Sequence, residues 1–327
     1  MPLRRDQLER IQRLRELFLD DDRGARALPD YWRDANDLAA YDALLGARIG
    51  WKWDAVLGEC RDRGLPRADD AVVLDFGCGT GIAARRFVAA FGAREVRCHD
   101  RSAAARTFAV RRLRAEQPGV RAEPIATTTG QSPDILLVSH VLGELDAAGH
   151  AALRALIATS RTVLLVEPGR PTEARALAAL RDELLPSFQV VAPCPHAQSC
   201  PTLASERDWC HFFATPPPEV FTDGAWVTAA REVGIDLRAL PYSFVALSRT
   251  PVGASPDHRL LGRADVGKHE ARVQACTARG LEVRTVTKRA EAALWRQLRK
   301  DPGGHRTLPP PTVADGGGTS PGRGSPD

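Results

Sequence analysis

The sequence predicts an α/β fold in which a mainly parallel sheet carries helices on both faces, and three observations point to it. Between residues 70 and 190, short apolar runs alternate with helical patterns. VVLDF, EVRCHD, RAEPIA, DILLVSHVL, TVLLVEPG and QVVAPC are the strand candidates, and such alternation builds parallel sheets from β-α-β units. The first run ends in a glycine-rich turn, with Gly77, Gly79 and Gly81 after Asp75, and feeds the helical pattern IAARRFVAAFG. A strand that turns on glycines into a helix brings backbone amides close to a ligand. Finally, 327 residues at 43% hydrophobic and 26% charged content suit a large α/β domain plus a smaller module. No run of about eighteen apolar residues occurs, so no membrane span is expected.

The elements follow in chain order. Residues 1–65 form a helical region, because LERIQRLRELFL and LAAYDALLGARIGWKWDAVLGEC repeat apolar residues at spacings of three and four. Tyr41, Trp51 and Trp53 are expected to pack this cap onto the main domain. That domain spans 66–250 and includes a cysteine-rich insertion at 191–215, followed by a helix near AWVTAAREVG and a last strand, YSFVALSR. Residues 251–300 read as a small basic module, with strands RVQACT and LEVRTVTKR and the helix AEAALWRQLRK. The stretch 301–327 is Pro/Gly-rich and almost free of apolar residues, so disorder is expected there. The chain shows no internal repeat.

Details of the glycine turn favour S-adenosylmethionine over a dinucleotide. Asp75 precedes the glycines at the strand end, and the third glycine comes two residues after the second, not three. The next strand, EVRCHD, ends at Asp100, whose carboxylate is placed to accept hydrogen bonds from both ribose hydroxyls. The other role open to Asp100 is N-cap of the helix RSAAARTFAVRRL. Asp75, Gly77, Gly79, Gly81 and Asp100 are therefore the expected cofactor residues. Methyl transfer needs an acceptor aligned in line, often with a base or polar clamp after the fourth strand. Ser139 and His140 stand there and are the catalytic candidates, with capping or packing as the other role for His140.

Four of the seven cysteines group apart from this turn. Cys194, Cys200 and Cys210 fall within APCPHAQSCPTLASERDWCHFF, and Cys276 lies in RVQACTARG. Four thiolates close a tetrahedral zinc site or hold an iron–sulfur cluster. Pro195 and Pro201 stiffen the loop and remove an amide donor each. Buried thiols or a disulfide pair are the alternatives. The disulfide is disfavoured because MPLRRDQLERIQRLREL lacks an apolar signal region, which also makes a cytoplasmic location the expectation. Cys78 and Cys98 receive no chemistry. The net charge of +4 gathers in the C-terminal module, where Arg259, Lys288, Arg289 and their basic neighbours could contact phosphates or form a solvated basic face. Trp295 is its one aromatic residue, so base stacking is not indicated.

LDFGCGTG, CHDRS, DILLVSHVLGEL, LLVEPGRP, APCPHAQSCP, DWCHF, YSFVALSR and ACTARG, in this order, resemble the methyltransferase-like family of small-ribosomal-subunit proteins, known as mitochondrial ribosome assembly factors with bacterial relatives. The resemblance covers roughly residues 70–290. It implies a class I S-adenosylmethionine-dependent methyltransferase (Rossmann-like) fold and association with small-subunit ribosomal RNA or the assembling subunit. It also implies a 4Fe–4S cluster, with zinc as the alternative, on Cys194, Cys200, Cys210 and Cys276. The free protein is expected to be a monomer. One departure follows DWCHFF, where the family continues with arginines and lysines and this chain has ATPPPEVFTDG. Cys194 follows a proline, as the nucleophile of cytosine-C5 RNA methyltransferases does. It lies after the sixth strand and not the fourth, so a ligand is expected there. The competing expectation is a non-catalytic assembly factor that keeps the fold as an RNA-binding platform; a zinc-stapled small-molecule methyltransferase is the third.

Overall fold

The computed structural model describes residues 3–19, 30–253 and 258–309. The chain enters through α1 (Arg5–Leu19) and α2 (Ala35–Tyr41), and α2 continues through a π-helical turn, Asp42–Gly46, into α3 (Ala47–Asp62). Asp34 caps α2 by accepting from the amides of Asn36 and Asp37. Asp37, fully buried, ties α1 to α2 through Arg10 and Arg13 at 2.6 and 2.5 Å.

The body alternates as the sequence predicts. It runs β1 (Val72–Phe76), α4 (Ile82–Phe91), β2 (Glu95–His99), α5 (Ala103–Glu116), β3 (Arg121–Ile125), β4 (Ile135–Ser139), α6 (Ala147–Thr159), β5 (Thr162–Pro168), α7 (Pro171–Leu184) and β6 (Gln189–Ala192). The two-residue β7 (Phe212–Phe213), α8 (Glu219–Thr222), α9 (Gly224–Val233) and β8 (Pro241–Ser248) complete it. Strand order is β3-β2-β1-β4-β5-β8-β6, with β7 also against β8. The strands from β3 to β5 are parallel, and β8 runs antiparallel to both β5 and β6. This is the class I methyltransferase sheet with its antiparallel edge. Alternate residues of the central strands feed two cores: Val73, Leu137 and Leu164 face one helical layer, Leu74, Leu136 and Leu165 the other. Burial on both faces is why these strands read as unbroken apolar runs.

The module holds three strands, one more than the sequence suggests. β9 (His258–Val266), β10 (Glu270–Thr277) and β11 (Gly280–Thr287) pair antiparallel, and α10 (Ala292–Lys300) packs Leu294, Trp295 and Leu298 against them. β9 escaped detection because Gly262, at φ 65°, breaks the run and the pairing slips between Arg272 and Gln274. Residues 301–309, expected to be disordered, lie along β9. The amides of Ala264 and Leu260 donate to the carbonyls of Pro302 and Arg306, and Leu308 is buried. Residues 310–327, the rest of that expected tail, lie outside the described residues.

Body and module meet through buried charge. Glu59 on α3 pairs with Arg63 at 2.8 Å and with Arg259 of β9 at 2.9 Å, all three nearly solvent-free. Arg259 belongs to the basic set expected to meet phosphates, and it is spent here instead. Lys268, Arg272, Lys288, Arg289, Arg296 and Arg299 remain exposed. Among the described residues, no helix is long and apolar enough to cross a membrane.

Candidate cofactor pocket and cysteine site

A cavity of about 1020 Å³ opens at the carboxyl ends of β1, β2, β4 and β5, and it receives Gly77, Gly79, Asp100, Ser139 and His140. In open α/β sheets that edge is where ligands sit. The three turn glycines have φ of 71°, 50° and 74°, a region that side chains avoid. Their surroundings differ. A Cβ on Gly77 would lie 2.5 Å from Val141 Cγ2 and one on Gly81 2.9 Å from Ala109 Cβ, whereas one on Gly79 meets nothing within 4 Å among the described residues. Gly79 thus borders the open cavity, while Gly81 serves the packing of α4 on α5.

Asp100 is held by two backbone donors, Gly79 N on Oδ2 and Ser102 N on Oδ1, each at 2.9 Å. The N-cap of α5 is Ser102, not Asp100, so the carboxylate keeps lone pairs for a ligand. Its burial raises its pKa. Asp75 does not line the cavity. It is fully buried, accepts from Ala84 N at 3.3 Å and leaves Oδ1 without a partner among the described residues. Burial pushes its carboxyl up to about 7. Asp75 therefore fixes the start of α4 behind the glycine turn.

Ser139 Oγ accepts from Trp53 Nε1 at 2.9 Å. Trp53 was expected only to pack; it also orients a pocket residue, and Tyr41 lines the same cavity. His140 adopts φ 57°, rare for a residue with a side chain, and its amide donates to Val166 O. Burial holds its imidazole well below the ordinary range, which favours the neutral ring, and Nε2 is buried without a partner among the described residues. The sequence reading missed Glu167. This residue accepts from Val141 N and Leu142 N at 2.9 and 3.2 Å, and burial pushes it up to about 8. Its position at the end of β5, in LLVEPG, was the available signal. Tyr31, whose hydroxyl donates to Glu144 at 3.2 Å, adds an aromatic wall that no motif announces.

The four singled-out cysteines come together. Cys194, Cys200 and Cys210 from the loop between β6 and β7, and Cys276 from β10, line one small cavity of about 20 Å³. Burial and the neighbouring thiols of Cys194, Cys200 and Cys276 raise Cys210 well above the ordinary range. Burial pushes Cys276 up to about 12, and its Sγ lies 3.4 Å from His196 Nε2. All seven cysteines are free thiols, so the disulfide alternative is absent. Among the described residues, no group of three or more His, Cys, Asp or Glu side chains is arranged to hold a metal ion. The chemistry of the donor set, four thiols on one cavity, fits a thiolate-bound group. Cys78 and Cys98 are buried in the body's core, away from this cavity.

Helix α7 serves both places. Pro171, Thr172 and Glu173 in its first turn border the large cavity, and its later turns grip the cysteine loop. Arg175 donates to the carbonyls of Thr202 and Ser205 at 3.1 and 2.6 Å, Arg181 donates to Gln198 O, and Asp182 accepts from Cys200 N at 2.8 Å.

Comparison with known proteins adds the following. The model of a family described as mitochondrial small ribosomal subunit Rsm22 matches residues 53–306. A search of curated proteins gives no match. Among solved structures, the Synechocystis magnesium protoporphyrin IX methyltransferase with bound S-adenosylmethionine is 14% identical, with 74% of this chain and 97% of that one covered and a TM-score of 0.38. A candidate RNA methyltransferase of Pyrococcus horikoshii is also 14% identical, over 74% and 100%, at 0.38. The Thermoplasma acidophilum protein 1320 is 15% identical, over 76% and 98%, at 0.35.

Proposed function

Because the chain belongs to the mitochondrial small ribosomal subunit Rsm22 family, we propose that it binds S-adenosylmethionine, methylates small-subunit ribosomal RNA or an assembling small subunit, and carries a 4Fe–4S cluster on Cys194, Cys200, Cys210 and Cys276. The observation that carries the methyltransferase reading is the large cavity at the carboxyl edge of a class I sheet, with Gly79 open to it and Asp100 poised at its rim. Asp100 would hold the ribose hydroxyls on the lone pairs its two amide donors leave free. Thr80 Oγ1, His99 Nδ1 and His140 Nε2, buried and without a partner among the described residues, also belong to residues lining this cavity, and unmet buried polar atoms are expensive unless a ligand meets them. When bound, S-adenosylmethionine supplies an activated methyl group. Neutral His140, fixed through its backbone at Val166, would accept a proton from the acceptor or orient it, and Trp53 keeps Ser139 turned to the same wall.

The cluster reading rests on Cys276 arriving from the module to join three loop cysteines at one cavity. Those residues would ligate as thiolates, and closing the set would join module to body. The exposed basic residues of the module, Lys288 and Arg289 among them, would meet RNA phosphates.

Calorimetry with S-adenosylmethionine, followed by transfer of its labelled methyl group to purified precursor small subunits, tests the reading. Binding with transfer supports it. Binding without transfer leaves the protein as an assembly factor that uses the fold as a platform, and no binding overturns the pocket assignment. Iron content and visible absorption of protein purified without oxygen decide between a cluster and zinc.

A further inference from the structure

Two guanidinium groups line the cysteine cavity, those of Arg181 and Arg259, 1% and 2% exposed. Behind them Arg63, also buried, donates to Pro193 O at 2.6 Å and Cys194 O at 3.0 Å. The carboxylates facing these cations are Glu59, shared by Arg63 and Arg259, and Asp182, 2.6 Å from Arg181. His196 is the other titratable group at the cavity. Three buried cations against two carboxylates leave one positive charge uncompensated beside the thiols.

The donors tell the same story. Terminal nitrogens of Arg181 go to Gln198 O, His196 O and Asp182. Those of Arg259 go to Glu59 at 2.9 Å and Arg306 O at 3.1 Å. The Nε of each is buried with no hydrogen-bond partner among the described residues. A buried N–H normally finds an acceptor, and here two of them belong to residues that enclose the same sulfur-lined space.

We propose that Arg181 and Arg259 are the charge-compensating residues of the cysteine site, giving N–H donors and positive charge to a sulfur-bearing anion there and thereby setting its reduction potential. The inference rests on the cluster reading above. Potentials of such groups follow net charge, hydrogen bonds to sulfur and exposure. Reduction adds one electron and breaks no bond, so the reduced state is one charge more negative. Two nearby guanidiniums in a poorly screened interior stabilise that state more than the oxidised one.

The test uses the full chain, purified without oxygen, titrated through mediators with dithionite as the electron donor. Arg181→Gln should lower the midpoint potential by at least the equivalent of a tenfold change in the reduction equilibrium, about 59 mV for one electron. Arg181→Lys keeps the charge but cannot span the two loop carbonyls, so its potential should stay close to wild type. Arg259→Gln and Arg259→Lys repeat the comparison should Arg181→Gln lose its iron. Arg175→Gln is the control, because Arg175 holds the same loop without lining the cavity. A purely structural role predicts Lys variants as damaged as Gln variants, with no shift in whatever protein stays loaded, and would overturn the inference. Iron-free wild-type protein would end the cluster reading and this inference together. Loaded wild type with unshifted Arg181→Gln and Arg259→Gln would end the inference alone.

Discussion

Replacing Glu59 by Gln should destabilise the fold by about 3–5 kcal/mol, the range for breaking a buried ion pair by removing one partner. The size follows from what the carboxylate does. Oε1 accepts from Arg63 at 2.8 Å, Oε2 from Arg259 at 2.9 Å, and Arg306 Nε stands 3.6 Å away. Glu59, Arg63 and Arg259 are 2%, 7% and 2% exposed, so water cannot replace what is lost. Each charge-assisted bond contributes about 1.5–3 kcal/mol. The amide of Gln keeps one acceptor, now neutral, and turns an NH2 group toward the other guanidinium. One bond is weakened, one is lost, and two buried cations remain with no anion between them. Urea unfolding followed by tryptophan fluorescence reads the loss as a lower midpoint at unchanged slope. Arg306→Gln is the comparison: its side chain is 36% exposed, and its loss should amount to less than about 1 kcal/mol. Glu59→Leu combined with Arg63→Met and Arg259→Met should recover much of the stability, since replacing a whole buried ionic group by apolar residues is often neutral. A Glu59→Gln loss below about 1 kcal/mol would show that the junction between body and module does not depend on this charge.

Gly79→Val should leave the protein folded, at a backbone cost of about 1–2 kcal/mol for its left-handed conformation, yet abolish S-adenosylmethionine binding in calorimetry. Asp100→Ala should weaken that binding by about 1–3 kcal/mol; unchanged affinity in both would sink the pocket assignment. Ser in place of Cys194, Cys200, Cys210 or Cys276 should remove most of the iron, whereas Cys78→Ser and Cys98→Ser should not, as metal analysis would show. Glu167 has a folded pKa raised to about 8 by burial. Its contribution is therefore full below about pH 4.5 and lost as pH rises through about 8. Thermal unfolding between about pH 5 and 8 should show that decline, and Glu167→Gln should flatten it. Lys288→Glu with Arg289→Glu should weaken RNA binding and reduce its salt slope; an identical slope would remove these residues from the contact.

The β/α alternation was legible because a strand buried on both faces has to be apolar throughout, as Val72–Phe76 is. The glycine turn was legible as a turn, but its residues divide by what surrounds them. Gly79 and Asp100 border the cavity, while Gly81 and Asp75 pack behind it. No spacing in the chain distinguishes those neighbourhoods. The convergence of the cysteines was legible in their spacing, three in one loop and a fourth on a later strand, and the family resemblance picked out the same four. Arg259 read as surface charge because its partner Glu59 lies 200 positions earlier. β9 was lost to a left-handed glycine and a register shift, and Trp53 to the habit of assigning tryptophan to packing. Leu308, one apolar residue in a Pro/Gly-rich stretch, gave no periodicity to read, although tertiary burial orders it.

The joint built on Glu59, and the meeting of the four cysteines beside it, also have a timetable. Domains fold as units while the chain is synthesised, N-terminal part first, at about 5–20 residues per second. The body's sheet is complete once β8 ends at Ser248, but Arg259 and Cys276 are still to come. Arg63 has Glu59 to itself until Arg259 is made, and for all 28 positions from Ser248 to Cys276, a matter of about 1–6 s at that pace, three thiols wait without their fourth. The nascent protein thus passes through a finished sheet with an open flank, and the last residue needed to shut it belongs to another sheet. A group that needs all four thiols could therefore be completed only after the body has formed, and would record that the chain was made through to its module.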